Sequence, residues 1–313
     1  MTKTKISTKN ISPAMAAPVN KKFLKATAWA LMLLISDLPD IVCVQLSLPI
    51  PQWLFWGKVS LMVMFLGLCL LHKQLRPLGQ FAGVMAVFYL ALAASAWIGN
   101  LPGWQHRFSG PDVSFTAGYL GFHLRDLGVA AAVVTILWMM KKRRKNFFLV
   151  KGKWDAPIEP VRWLGIKKSE SWNKFGWIFL VAASAVVAIP TLLGLKINGR
   201  ILVRAASLLP AVLLFAAANA LAEEIYFRAS FLSTMHQVIG RGHALLISSV
   251  FFGLNHFLYG SPPGVVGFLL TAFLGWLLGK AMLETNGLLW PWLIHFAPDA
   301  VVFASYAIAW VQR

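Results

Sequence analysis

Leu213-Leu214-Phe215-Ala216-Ala217-Ala218, running on to Ala222-Glu223-Glu224-Ile225-Tyr226-Phe227-Arg228, is the stretch on which the reading of this chain turns. A predominantly apolar run ends in two adjacent carboxylates. Carboxylates in such surroundings are costly unless paired or protonated. The rest of the chain has the same character: of 313 residues, 58% are hydrophobic and 13% charged, whereas an average soluble domain is roughly half apolar and about a quarter charged. The solvent for this fold is lipid.

A helix needs about 20 apolar residues to cross a hydrocarbon layer of roughly 30 Å. Candidate runs fall at 23–48, 53–71, 78–98, 115–140, 175–195, 201–221, 244–258, 265–283 and 288–310. The expected fold is therefore all-α, a polytopic transmembrane helical bundle of eight or nine spans. Asp37, Pro39 and Asp40 interrupt the first run, which reads as a broken helix or a half-span, and 244–258 is short for a crossing.

A formal net charge of +18 invites a nucleic-acid reading, but the basic residues sit in short loops between spans and form no basic face or aromatic groove, so no nucleic-acid partner is expected. Topology accounts for them. Lys3, Lys5, Lys9, Lys21, Lys22 and Lys25 precede the first span, Lys73 and Arg76 follow the second, and Lys141, Lys142, Arg143, Arg144 and Lys145 follow the fourth. Cytoplasmic segments carry this bias, which puts the N-terminus inside. Lys196, Arg200 and Arg204 run against it. The expected organisation is a polar cytoplasmic tail (1–22), a four-span accessory region (23–140), a basic cytoplasmic loop (141–174) and a C-terminal core (175–313). An integral protein of the cell's inner or plasma membrane is expected. Cys43 and Cys69 lie in apolar runs and read as small hydrophobes. His123, Arg125 and Asp126, early in the fourth run, read as an interfacial or snorkelling group.

Three patterns follow residue 200. Glu224 and Arg228 are four apart with the acid N-terminal, the favourable order for a helical pair. Glu223, about 100° round the helix, keeps a free face, as a general base requires. Phe252 and His256 share a helical face. Gly240, Arg241 and Gly242 mark a turn, so the segments bearing Glu223 and His256 form an antiparallel hairpin. Glu223 lies 17 residues before Gly240 and His256 14 after Gly242, each roughly 21 to 26 Å from the turn, so the two side chains can meet. Finally, His295 and Asp299 are four apart; Asp299 is expected to fix the imidazole tautomer and Pro298 to kink the helix. His72, His106, His236 and His243 read as loop residues. Carboxylate, two imidazoles and a further acid make the inventory for activating water and stabilising an oxyanion.

With Glu223-Glu224-x-x-x-Arg228, Phe252-x-x-x-His256 and His295-x-x-x-Asp299 in this order, residues 175–310 resemble the CPBP family, the CAAX-protease and bacteriocin-processing group of intramembrane proteases. Ala229 stands where that family often has Gly, and Asp299 where many members have Asn. The resemblance implies hydrolysis of a peptide bond in a membrane-tethered protein or peptide. Glu223 and His256 would activate water, Glu224, Arg228 and Phe252 would support the site, and His295 with Asp299 would contact the oxyanion. A metal-free, glutamate-dependent mechanism is slightly preferred; the alternative is zinc held by Glu223, His256 and His295. A rival from another class is a non-catalytic immunity, scaffold or transport protein on the same fold.

Overall fold

The computed structural model describes residues 20–140, 142–167, 170–195, 197–260 and 262–313, with Leu192 described by its backbone alone. Lys141, Lys196 and nearly all of the N-terminal tail, with Lys3, Lys5 and Lys9, lie outside the described residues. The chain runs through α1 (Lys21–Ile35), α2 (Leu38–Gln45), α3 (Gln52–Leu71), α4 (Gly79–Gly99), α5 (Pro102–Phe108) and α6 (Phe115–Met139). It continues through α7 (Trp172–Gly194), α8 (Gly199–Ala206), α9 (Leu209–Glu223), a π-helical turn (Glu224–Ala229), α10 (Ser230–Ile239), α11 (Arg241–Tyr259), α12 (Gly264–Thr285) and α13 (Leu289–Val311). The fold is an all-α polytopic bundle; among the described residues extended pairing is limited to two isolated bridges, Pro157 with Ser171 and Val161 with Ile166.

Among the described residues seven helices are long and apolar enough to cross a membrane, and an eighth crossing follows if α1 and α2, bent by 52°, count as one broken span. The remaining expected run, 244–258, becomes the 19-residue α11, whose Arg241, His243, Asn255 and His256 make it less apolar than the others. The run at 201–221 departs from expectation. It divides at Ser207 and Leu208 into α8 and α9, with Pro210 in the first turn of α9 where its missing N–H costs nothing. The stretch long and apolar enough to cross, Leu209–Ile239, runs on through the two carboxylates and Arg228.

Local sequence explains the break in the first run. Ser36 leaves the helical region, its hydroxyl donates to Leu33 O (2.8 Å) and accepts from Leu38 N (3.2 Å), and Pro39 starts the next helix. With no hydrophobic force between helices in lipid, association rests on close packing and internal polar contacts. Between α11 and α12 the close approach is made by glycines: a Cβ on Gly253 would lie 2.8 Å from Ala272 Cβ and 2.9 Å from Phe268 O, and one on Gly275 3.1 Å from the Phe252 ring.

The largest buried cluster joins α1, α3, α4 and α6 to the π-turn, α10 and α11, with Phe81 against Phe231 at 5.2 Å between ring centres. The basic loop is folded onto the bundle. Lys153 N donates to Thr285 O (2.8 Å), Leu288 N donates to Val150 O (2.9 Å), and the Trp154 and Trp290 rings stack at 4.0 Å. Gly152, at φ +79°, meets Gly287 so closely that a Cβ would sit 2.8 Å from its Cα. The loop thus seals the turn between α12 and α13.

Candidate active site

Three elements supply the polar groups at the centre of the C-terminal half. α9 and the π-turn carry Asn219, Glu223, Glu224 and Arg228; α11 carries Phe252 and His256; α13 carries His295 and Asp299. A π-turn inserts an extra residue per turn and is common where function demands a displaced register. Here it falls on the six residues from Glu224 to Ala229.

His295 is the hub. Its Nδ1 lies 2.8 Å from Glu224 Oε1, and its Nε2 lies 3.5 Å from Glu223 Oε2 and 3.8 Å from Asp299 Oδ1. The ring is therefore oriented by Glu224. This corrects two sequence expectations: Asp299 is not the group that holds the back of His295, and Glu224 is not engaged by Arg228 alone. The Arg228 Nη1 to Glu224 Oε1 distance is 3.2 Å, with both side chains fully buried. The guanidinium carbon also sits 3.7 Å from the centre of the Phe252 ring, close enough for a cation–π contact.

Glu223 keeps the free face that the sequence suggests. Its Oε1 accepts from Asn219 Nδ2 (3.2 Å), while Oε2 is buried without a hydrogen-bond partner and faces His295. Asn219 also donates to Asp299 Oδ2 (3.0 Å), tying the two carboxylates together. Sequence reasoning passed over Asn219, although its place four residues before Glu223, in an otherwise alanine-rich run, is a readable signal.

His256 stands apart from the carboxylates. The hairpin of α10 and α11 forms, but the imidazole that meets Glu223 is His295, on α13. Among the described residues His256 makes no contact with a carboxylate within ion-pair distance. Its Nδ1 lies 2.9 Å from Phe252 O in its own helix, and its ring stands edge-on to Phe252 at 4.4 Å. Phe252 is a shared contact, with His256 and His295 (5.8 Å) both edge-on to its ring and Arg228 over its face. Pro298 lies within an unbroken α13.

The group on α6 also departs from expectation. His123 is 2% exposed, stacked on Phe215, and has no polar partner. Arg125 donates to Ser95 O (3.2 Å), and Asp126 accepts from Tyr226 Oη (3.3 Å), inside the π-turn. These residues face the bundle. His236 and His243 likewise lie on helices, His236 against Leu232 O and His243 accepting from Trp29 Nε1 (3.2 Å).

Zinc would need three donors converging at about 2.0 to 2.2 Å from one point. Glu223, His256 and His295 do not fit that requirement: both His295 nitrogens face carboxylates, and among the described residues no group of three or more His, Cys, Asp or Glu side chains is placed to hold a metal. An open apolar groove of about 580 Å³ is lined by Leu221, Ile225, Leu288, Leu289 and Trp292, with Lys151 of the folded loop as its charged lining residue; none of the cluster's polar side chains lines it.

Fold and site together define a class: an integral membrane protein with a carboxylate–imidazole cluster enclosed by its helices. Residues 205–301, about a third of the chain and the stretch that holds all three motifs, match the family model described as type II CAAX prenyl endopeptidase Rce1-like, a match that supports membership of the CPBP family. At the level of the family, the match supports a CAAX-type intramembrane protease. No curated protein and no solved structure matches the chain.

Proposed function

We propose that the chain is an intramembrane endopeptidase that hydrolyses a peptide bond in a membrane-tethered protein or peptide, as in CAAX processing, with Glu223 as general base. The observation that carries this reading is the buried, unpartnered Glu223 Oε2, 3.5 Å from an imidazole nitrogen whose ring is fixed from behind by Glu224. A base held by Asn219 on one oxygen and free on the other is preorganised to take a proton from water.

In this mechanism water loses a proton to Glu223 Oε2 as its oxygen bonds to the scissile carbonyl carbon. The developing oxyanion is met by a proton on His295 Nε2, with Asp299 beside it. The proton taken by Glu223 passes to the leaving nitrogen as the C–N bond breaks. His256, edge-on to the Phe252 ring that His295 also touches, polarises the incoming water. The apolar groove suits the side chains flanking the scissile bond, and no step needs a metal. A non-catalytic role on the same fold would be served by the Glu224–Arg228 pair alone and gives no reason for a second, unpaired carboxylate beside it.

The test is cleavage of a membrane-tethered peptide by purified protein in lipid, followed by mass spectrometry. Glu223→Gln and His256→Ala are expected to lose at least about a hundredfold in rate, and a chelator is expected to leave the wild type unchanged. Unchanged processing in both variants overturns the enzymatic reading, and loss with chelator alone overturns the metal-free one.

A further inference from the structure

A second polar cluster lies at the break between α1 and α2, in the part of the chain that the family match leaves out. Lys58 on α3 is buried, its side chain 7% exposed. Its Nζ lies 3.4 Å from Asp37 Oδ1 and also donates to Asp40. The remaining oxygen of Asp37, Oδ2, accepts from Asn255 Nδ2 at 3.1 Å. Asn255 is the residue before His256. Two carboxylates and an ammonium inside a membrane are expensive, and both acids reach Lys58 at the bend between α1 and α2. A static pair would need only one of them. The second carboxylate gives Asp37 an oxygen to spare for α11.

That spare oxygen has a geometric consequence. Arg241 and His243 tie the start of α11 to Glu159 and Trp29; further along, the polar anchors nearest His256 are the Ser248 hydroxyl, which donates to Phe227 O in the π-turn (2.7 Å), and Asn255. Seven residues apart, they lie on one helical face two turns from each other. Together they fix both the rotation and the depth of α11. His256 follows Asn255 by one residue, about 100° further round, and its own hydrogen bond goes to Phe252 O within the same helix. That bond moves with the helix and cannot set where the ring stands relative to His295 and Glu223.

We propose that Asp37, held by Lys58, is a positioning residue that sets His256 through Asn255, making the α1–α2 break a working part of the active site. The inference rests on the proposed role of His256, so its test has one readout in catalysis and one outside it. The comparison uses full-length protein in lipid: wild type, Asn255→Leu, Asp37→Leu and Asp37→Asn, with Glu223→Gln as the inactive reference. Both leucine variants keep volume and remove the bond, whereas Asp37→Asn keeps an acceptor for Asn255, and Asp40 remains to pair Lys58.

Expected is a fall in kcat of about tenfold in each leucine variant with KM within about twofold, the split that marks lost positioning, and recovery to within about threefold of wild type in Asp37→Asn. Backbone hydrogen exchange over residues 252–260 is expected to speed up about tenfold in the leucine variants and to match wild type in Asp37→Asn. Unchanged exchange in both leucine variants overturns the anchor, whatever the turnover. Faster exchange with unchanged kcat overturns its link to His256. Full activity in Glu223→Gln overturns the proposed reaction instead, and the exchange result then judges the anchor by itself.

Discussion

Glu223 and Glu224 are neighbours in sequence with opposite surroundings, and their variants are expected to separate accordingly. Glu224 bonds His295 and faces Arg228 with no exposure to solvent; removing its charge strands a buried guanidinium, which costs about 3 to 5 kcal/mol. Glu224→Gln is therefore expected to unfold at a markedly lower temperature in detergent. Glu223→Gln leaves the Arg228 pairing intact, and its unfolding is expected to stay within about 1 kcal/mol of wild type. Equal destabilisation of both would contradict the division of roles. Spacing alone reveals much of this: the i to i+4 order of Glu224 and Arg228, and the free face of Glu223. What sequence spacing hides is which helix supplies the facing imidazole. The depth count from Gly240 favours His256, but depth along a hairpin says nothing of rotation, and the third helix, α13, fills the space first. Asp126 was misread for a related reason: a charge early in an apolar run looks interfacial until Tyr226 is known to reach it.

Among the elements, the π-turn and the contact of α11 with α12 hold the site open to His295. The π-turn has no sequence signature of its own, since the residues from Glu224 to Ala229 would suit an α-helix equally well; only the packing partners make the widened register worthwhile. Ser248 caps it by donating to Phe227 O. Gly275 is the point where α12 comes closest, with space for a Cβ limited to 3.1 Å from the Phe252 ring and 3.3 Å from Arg228 Nη2. Gly275→Val is expected to push Phe252 and Arg228 off their mutual contact, at a cost of about 1 to 3 kcal/mol from overpacking. A thermal-shift measurement alongside peptide cleavage checks this, and wild-type values in both would show that the contact is slack. The division of 201–221 into α8 and α9 follows from Ser207 and Pro210, which the apolar run masked.

Taken whole, the molecule places its basic loop, the Gly240 turn and the turn from α12 to α13 on one side: Arg241 pairs with Glu159 (3.2 Å), and Lys153 and Leu288 close the loop over α12 and α13. His295 lies six residues into α13 from that side, about 9 Å along the helix. The site is thus expected to open toward the face that bears the basic loop, which the distribution of Lys and Arg assigns to the cytoplasm. In a background lacking Cys43 and Cys69, a cysteine at Arg162 is expected to be shielded from an impermeant thiol reagent in intact cells, and one at Ser109 to be labelled. The reverse pattern would invert the assignment. The number of crossings was legible to within one. Harder to see was that the accessory helices reach into the site, because the contacts of Asp37 with Asn255 and of Asp126 with Tyr226 join residues far apart in the chain.

The most direct measurement is the single-turnover rate of peptide-bond cleavage by Glu223→Gln in lipid vesicles, at saturating membrane-tethered peptide and at a protein level where its fold matches wild type. If the unpartnered carboxylate oxygen is the base, the rate falls by at least about a hundredfold. A rate within about threefold of wild type, from a folded protein, would show that the proton is taken elsewhere and would contradict the account at its centre.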